Sequence, residues 1–208
     1  DTESNNLGIG RGALGGSIAG GEFNVAVGNY TLDSLTSADA CTAVGYQSGS
    51  AITTGANNVL MGYNVGASIT TGYNNTFFGH QAGDGFDTEA NNLGIGRDAL
   101  GGAVAGGEFN VAVGNYTLDA LTSGDENTTV GYNSLSNVLA GTDNVGLGLD
   151  AGSSITGGSA NICIGSGSDV ADAAQDFGIA IGFQISASAN DFSFGKTSNV
   201  VTNDFDAD

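Results

Sequence analysis

Twelve glycines stand at Gly10, Gly28, Gly45, Gly62, Gly79, Gly96, Gly114, Gly131, Gly148, Gly165, Gly182 and Gly195, with spacings of 18, 17, 17, 17, 17, 18, 17, 17, 17, 17 and 13 residues. A period this regular implies near-identical units stacked in one dimension, each meeting only its neighbours. Function must therefore be argued per unit, and chemistry that needs one unique constellation has few places to reside.

Each unit reads Asn, apolar, small, apolar, Gly, then a variable pair, a small residue, and Leu or Gly. The apolar pairs include Val25 and Val27, Thr42 and Val44, Val59 and Met61, and Ile162 and Ile164. Residues two apart share one face of a strand, with the residue between them facing the other way. A further apolar ladder runs through Ile18, Leu35, Ile52, Ile69, Phe86, Val104, Leu121, Val138 and Ile155, broken by Asp172. With turn glycines such as Gly55, Gly72 and Gly124, this predicts an all-β fold: a parallel β-roll or β-solenoid of about twelve short coils of 17–18 residues. Such a coil encloses a thin core. The small residues Ala26, Ala43, Ala112 and Ala180, facing away from the apolar pairs, are expected to line a seam between chains.

Four residues before the anchor glycine stands Asn in nine of twelve units, including Asn24, Asn58, Asn75, Asn92, Asn110, Asn127, Asn144 and Asn161. Stacked Asn side chains can bond to the rungs above and below, and Asn tolerates left-handed turns. These residues are read as a structural ladder.

Residues 1–37 and 87–123 match at 32 of 37 positions, an offset of 86 residues. A five-coil block has been copied, which divides the repeat domain (residues 1–195) into 1–86 and 87–172. Residues 196–208 leave the repeat.

The net charge is −19, with Arg11, Arg97 and Lys196 the only basic side chains against 22 acidic ones. Nucleic acid and anionic membrane surfaces are poor partners for such a chain. No apolar run approaches the roughly 18 residues of a membrane span. Cys41 and Cys163 lie seven coils apart, roughly 34 Å at about 4.8 Å per coil, beyond disulfide or shared-metal reach. The chain opens at Asp1 rather than Met, which reads as a segment of something longer.

The residue after each anchor is the varied one: Tyr46, Tyr63, His80, Arg97 and Tyr132 among them. Facing outward, these form a ribbon of aromatic and basic groups suited to a glycan or protein receptor. The competing reading is a self-stacking, stabilising ladder. Asp84, Asp87, Glu89, Asp119, Asp125 and Glu126 fall on loops and could offer Ca²⁺ hard oxygen ligands, but no calcium-repeat motif supports it. No cofactor is expected. One histidine and no matched nucleophile–base pair argue against an enzyme.

The units TAVGYQSG (42–49), NVLMGYNVG (58–66), NTFFGHQAG (75–83) and TTVGYNSL (128–135) resemble the NTAVGYQAL-type repeats of phage tail fibres. They are also similar to the head repeats of trimeric autotransporter adhesins. The resemblance spans about residues 5–195 and implies a homotrimeric β-roll fibre, extracellular, attached to a virion or, in the alternative, a bacterial cell surface. Coils of 17 residues, longer than those of the adhesin heads, favour the fibre. Residues 192–208 resemble the lead-in to a self-cleaving, endosialidase-type chaperone. The function these features imply is a structural and host-attachment segment of a viral tail fibre.

Overall fold

Each of the first ten anchor glycines directly follows a three-residue strand, and Gly182 and Gly195 lie within longer ones. In the computed structural model, which describes residues 5–103 and 105–204, these strands are β1 (Leu7–Ile9), β2 (Val25–Val27), β3 (Thr42–Val44), β4 (Val59–Met61), β5 (Thr76–Phe78), β6 (Leu93–Ile95), β7 (Val111–Val113), β8 (Thr128–Val130), β9 (Val145–Leu147), β10 (Ile162–Ile164), β12 (Ile179–Phe183) and β14 (Asp191–Lys196). They pair parallel and in register in chain order, Leu7 beside Val25, Val25 beside Thr42, and so on to Ile179 beside Phe192. The fold is a parallel β-solenoid of about eleven coils. The count of twelve took Gly195 to anchor a further coil. Instead, β14 turns back into the antiparallel strand β15 (Asn199–Asp204), and this hairpin finishes the 13-stranded sheet.

The anchor must be glycine because the next coil's backbone lies directly over it. Gly45 has φ +130, and a Cβ there would collide with the carbonyl oxygen of Gly62. Anchor follows anchor along the rod, which holds the coil spacing constant.

The orientation of the strands is the reverse of the expected one. The central residue of each triplet points into its own coil: Ala26, Ala43, Ala112 and Ala180 are fully buried within the single chain and cannot line a seam between chains. The flanking apolar pairs face outward, half-buried or exposed, with Leu7, Ile9, Met61, Ile95, Val130 and Phe194 among the exposed large side chains. The cause is the narrow coil. Its opposite wall sends Leu35, Ile52, Ile69, Phe86, Leu121, Val138 and Ile155 fully into the interior, leaving a small residue as the usual fit at the strand centre. Val104 lies outside the described residues. Where Asp172 breaks the ladder, Val170 of β11 (Asp169–Val170) fills the core, with Ala187 of β13 (Ser186–Ala187) paired beside it in a separate two-stranded sheet.

The Asn side chains bridge successive coils. Asn110 Oδ1 accepts the backbone N–H of Asn127 at 3.0 Å, and Asn110 Nδ2 donates to the Gly124 carbonyl at 2.9 Å. Asn58, Asn75, Asn127, Asn144 and Asn161 repeat this two-sided pattern, and Asn24 Oδ1 accepts the N–H of Cys41. Asn92 is held the same way between Gly107 and Asn110. All are buried, so each side chain satisfies backbone groups that water cannot reach.

Candidate functional site

From Gly10 to Gly165, the two residues after each anchor leave the strand and turn along the outside of the rod. The second of them takes a left-handed backbone, as at Tyr30 (φ 58), Gln47 (φ 51), Asn64 (φ 55), Gln81 (φ 55) and Tyr116 (φ 59). This turn lifts the side chains clear of the coil, so that those of successive coils meet face to face.

Tyr46, Tyr63 and His80 form one column. The rings of Tyr46 and Tyr63 stack at 5.3 Å with planes 14° apart, and Tyr63 stacks on His80 at 5.2 Å and 10°. Tyr30 meets Tyr46 edge-on at 6.1 Å, and the Arg11 guanidinium lies 5.4 Å over the Tyr30 ring. The duplicated block repeats the beginning of this column. Arg97 lies 5.5 Å over Tyr116, and Tyr116 meets Tyr132 edge-on at 5.7 Å. Arg97 also pairs with Asp98, Nε to Oδ2, at 3.0 Å. The first copy runs on into Tyr63 and His80 where the second has Leu149 and Ser166.

All five ribbon residues lie on the outside of the rod; Tyr63 and Tyr132 are about half exposed, at 50% and 51%. Yet Tyr63 has a ring on each of its faces. Sugar rings grip aromatic faces, and that surface of Tyr63 is already used. What the column offers a partner is its edges: phenol hydroxyls, the His80 imidazole and the Arg97 guanidinium. Its geometry suits hydrogen bonding to hydroxyls, carbonyls or carboxylates along a straight line, one contact per coil.

Beside the second column lies an open depression of about 250 Å³ lined by Gln81, Asp84, Asp98, Gly101, Tyr116 and Asp119. Partial burial pushes the carboxyls of Asp84 and Asp119 above the ordinary range, and the charge of Asp98 adds to both shifts. Gln81 Nε2 donates to Asp84 at 3.1 Å, opposing that shift. Sequence reasoning missed this depression. Its signal was the 18-residue coil at Gly101 together with Asp98, which stands where the first copy has Gly12.

The loop acids are scattered. Asp84 and Asp119 share the depression, Asp87 accepts from the Thr70 hydroxyl, and Glu126 lies beside Asp143, whose hydrogen bond and charge raise its carboxyl. Asp125 accepts the backbone N–H of Glu108. Glu89 is buried and braces its loop by accepting the N–H groups of Asp87, Thr88 and Gly106. Among the described residues no group of three or more His, Cys, Asp or Glu is placed to hold a metal ion, and no helix is long and apolar enough to cross a membrane. Cys41 and Cys163 are free and buried; burial, with a smaller push from Asp169, drives the Cys163 thiol up to about 12. Both are poor nucleophiles at neutral pH.

No protein-family model, curated protein or solved structure matches this chain. Its function has to be read from its own surface.

Proposed function

We propose that this chain is a structural, non-catalytic and host-attachment segment of a phage tail fibre. In this reading it is an extracellular homotrimeric shaft that presents the stripe from Arg11 to Tyr132 to a glycan or protein receptor on the host cell.

The observation that carries this reading is the outward apolar face of the parallel sheet. From Leu7 and Ile9 to Phe192 and Phe194, the triplet before each anchor glycine contributes two outward side chains, none of them charged, on a chain of net charge −19. Eleven steps of about 4.8 Å make a face roughly 50 Å long, and three residues at about 3.3 Å make it roughly 10 Å wide. An uncharged apolar strip of this size is at the upper end of what a monomer leaves in water. Closed cyclic association about the rod's axis covers such a strip along its whole length without open ends. Three copies is the number that the resemblance to phage tail-fibre and adhesin-head repeats implies. Most of the charges lie on the loops, where they keep assembled rods apart in solution; in the long sheet Asp191 and Lys196 stand at the two ends of β14.

Light scattering on the purified protein is expected to give three times the chain mass. The double variant Val111→Lys and Val113→Lys, which places charge at mid-strip, is expected to give single chains. A folded, monomeric wild-type protein would overturn the assembly. Attachment is read by whole-cell binding: Tyr46→Ala with Tyr63→Ala, or Arg97→Ala with Tyr132→Ala, is expected to weaken it at least tenfold. Unchanged binding in both would remove the stripe as the receptor surface.

A further inference from the structure

In every repeat unit the residue five before the anchor glycine is left-handed, as at Phe23 (φ 60), Asn57 (φ 59), Phe109 (φ 58) and Phe177 (φ 60). Asn holds this place in Asn5, Asn57, Asn74, Asn91 and Asn190, because its short polar side chain tolerates that backbone. A bulky ring does not favour it. Yet Phe23, Phe109 and Phe177 stand there, and they are 58%, 54% and 60% exposed. Neither the local backbone nor the core of the chain accounts for these three rings.

Each ring follows an acid, in Glu22-Phe23, Glu108-Phe109 and Asp176-Phe177. Each also stands two residues ahead of an outward apolar pair, at one margin of the apolar strip. The residues just after the anchors form the opposite margin, and they include all three basic side chains, Arg11, Arg97 and Lys196. Arg11 and Arg97 lie one coil before an acid–Phe pair, and Lys196 one coil after. Arg97 keeps 59% of its side chain exposed beside Asp98, so it has donors left for a partner. The margins also match in bulk. The coils of Phe23 and Phe109 carry the small Asn29 and Asn115 after the anchor, whereas Tyr46 and Tyr63 share their coils with Ala40 and Asn57. Phe177 and Phe183 are the exception, two rings in one coil. Within a chain the two margins are six residues apart, roughly 20 Å, and do not meet. Between copies standing side by side they are the surfaces that face each other.

We propose that Glu22-Phe23, Glu108-Phe109 and Asp176-Phe177 dock one copy of the chain onto the next. The rings pack beside the residues after the neighbour's anchors, and the carboxylates pair with its Arg11, Arg97 and Lys196. This rests on the cyclic assembly proposed above and names the contacts that close it. Cyclic closure sets one margin against the opposite margin at every interface, so a single pattern serves all copies. The strip alone offers roughly 500 Å² per chain, short of the about 800 Å² that each partner gives a stable interface. With both margins the wall is roughly 20 Å wide and offers roughly 1,000 Å².

Two experiments test this. Phe23→Asn, Phe109→Asn and Phe177→Asn together are expected to raise the concentration at which the assembly dissociates at least a hundredfold, read by light scattering over a dilution series. In the single-chain background of Val111→Lys and Val113→Lys, the same three changes are expected to leave the unfolding midpoint unchanged or higher. A drop there would show that the rings serve their own coils and would overturn the proposal. In the second, Phe109→Cys is combined with Asn115→Cys, a pair too far apart to bridge within one chain. Mild oxidation is expected to link chains into species of two and three, with neither single variant doing so. An assembled wild type whose triple variant holds together equally well, or whose cysteine pair stays unlinked, would overturn these contacts and leave the assembly standing. A wild type that stays single at every concentration would remove the assembly and these contacts with it.

Discussion

Phe77 occupies the space that a side chain on Gly83 would need; a methyl group there would collide with the ring. The same ring presses on Gly94 in the next strand. Leu60 is likewise flanked by Gly49 and Gly66, and Leu135 by Gly146 and Gly152. Each of these bulky core residues thus sits between two glycines: Phe77 and Leu135 between a strand-centre glycine and a turn glycine, and Leu60 between two turn glycines. Coils differ in which wall supplies the bulk, while the total volume is conserved.

This exchange predicts a compensating pair. Phe77→Ala alone is expected to cost about 3–5 kcal/mol through the cavity it leaves. Gly83→Leu alone is expected to be destabilising by collision with the ring. Together they recreate the arrangement of the sister coil that has Ala26 at its strand centre and Leu32 in the left-handed turn at φ 48. The double variant should be more stable than the sum of the two single losses by more than about 1 kcal/mol. Chemical denaturation of all four proteins measures this coupling. Additive losses would show that the two positions do not share one volume.

Thr129 stands at the centre of β8, where most coils carry Ala or Gly. It is fully buried, and its hydroxyl finds no hydrogen-bond partner among the described residues. A buried hydroxyl left unpaired costs about 1–3 kcal/mol. Thr129→Val keeps the branched shape and removes the unpaired group, so it is expected to raise stability by about 1 kcal/mol. A loss of stability in thermal unfolding would mean that the hydroxyl has a partner in solution.

Asn110 is the opposite case. Its amide donates to Glu108 and Gly124 and accepts from the N–H of Asn127, all in buried or half-buried surroundings. Asn110→Ala leaves these backbone groups without partners, at a cost of about 3 kcal/mol or more. Asn110→Asp keeps the acceptor and loses the donor, and it adds a charge to an acidic chain. It should be no better than Ala at neutral pH. Urea midpoints decide the order, and a cost below about 1 kcal/mol for Ala would remove the ladder from the stabilising interactions.

The period, the parallel stacking, the Asn rungs and the turn glycines were all legible in the sequence, because each repeats at a fixed offset and repetition is what a stacked fold imposes. The inward and outward faces were not. Val25-Ala26-Val27 alternates whichever way it points, and only the size of the space inside the coil decides that the alanine goes in. The aromatic stripe was legible as residue types but not as a column. Its stacking depends on a left-handed turn at Tyr30, Gln47 and Asn64, which ordinary side chains rarely adopt and which sequence therefore does not announce. The depression beside Tyr116 was hidden for another reason: it forms where one 18-residue coil meets a 17-residue neighbour, a difference of one residue.

The resolved carboxyl shifts all point one way. Partial burial raises Asp33, Asp84 and Asp119, and Asp143 raises Glu126. A carboxyl whose folded pKa is raised binds its proton more tightly in the fold than in the unfolded chain. Stability therefore increases as pH falls from neutral through the folded pKa values, towards the ordinary carboxylate range of about 4. Relief of the −19 net charge acts in the same direction. The protein is expected to unfold at a higher temperature at about pH 5 than at about pH 7.5, the reverse of common acid destabilisation. Asp84→Asn with Asp119→Asn should raise the midpoint at neutral pH and flatten the profile. A wild-type midpoint that drops as the pH is lowered through this window would mean that these carboxyls are stabilised, not penalised, by the fold.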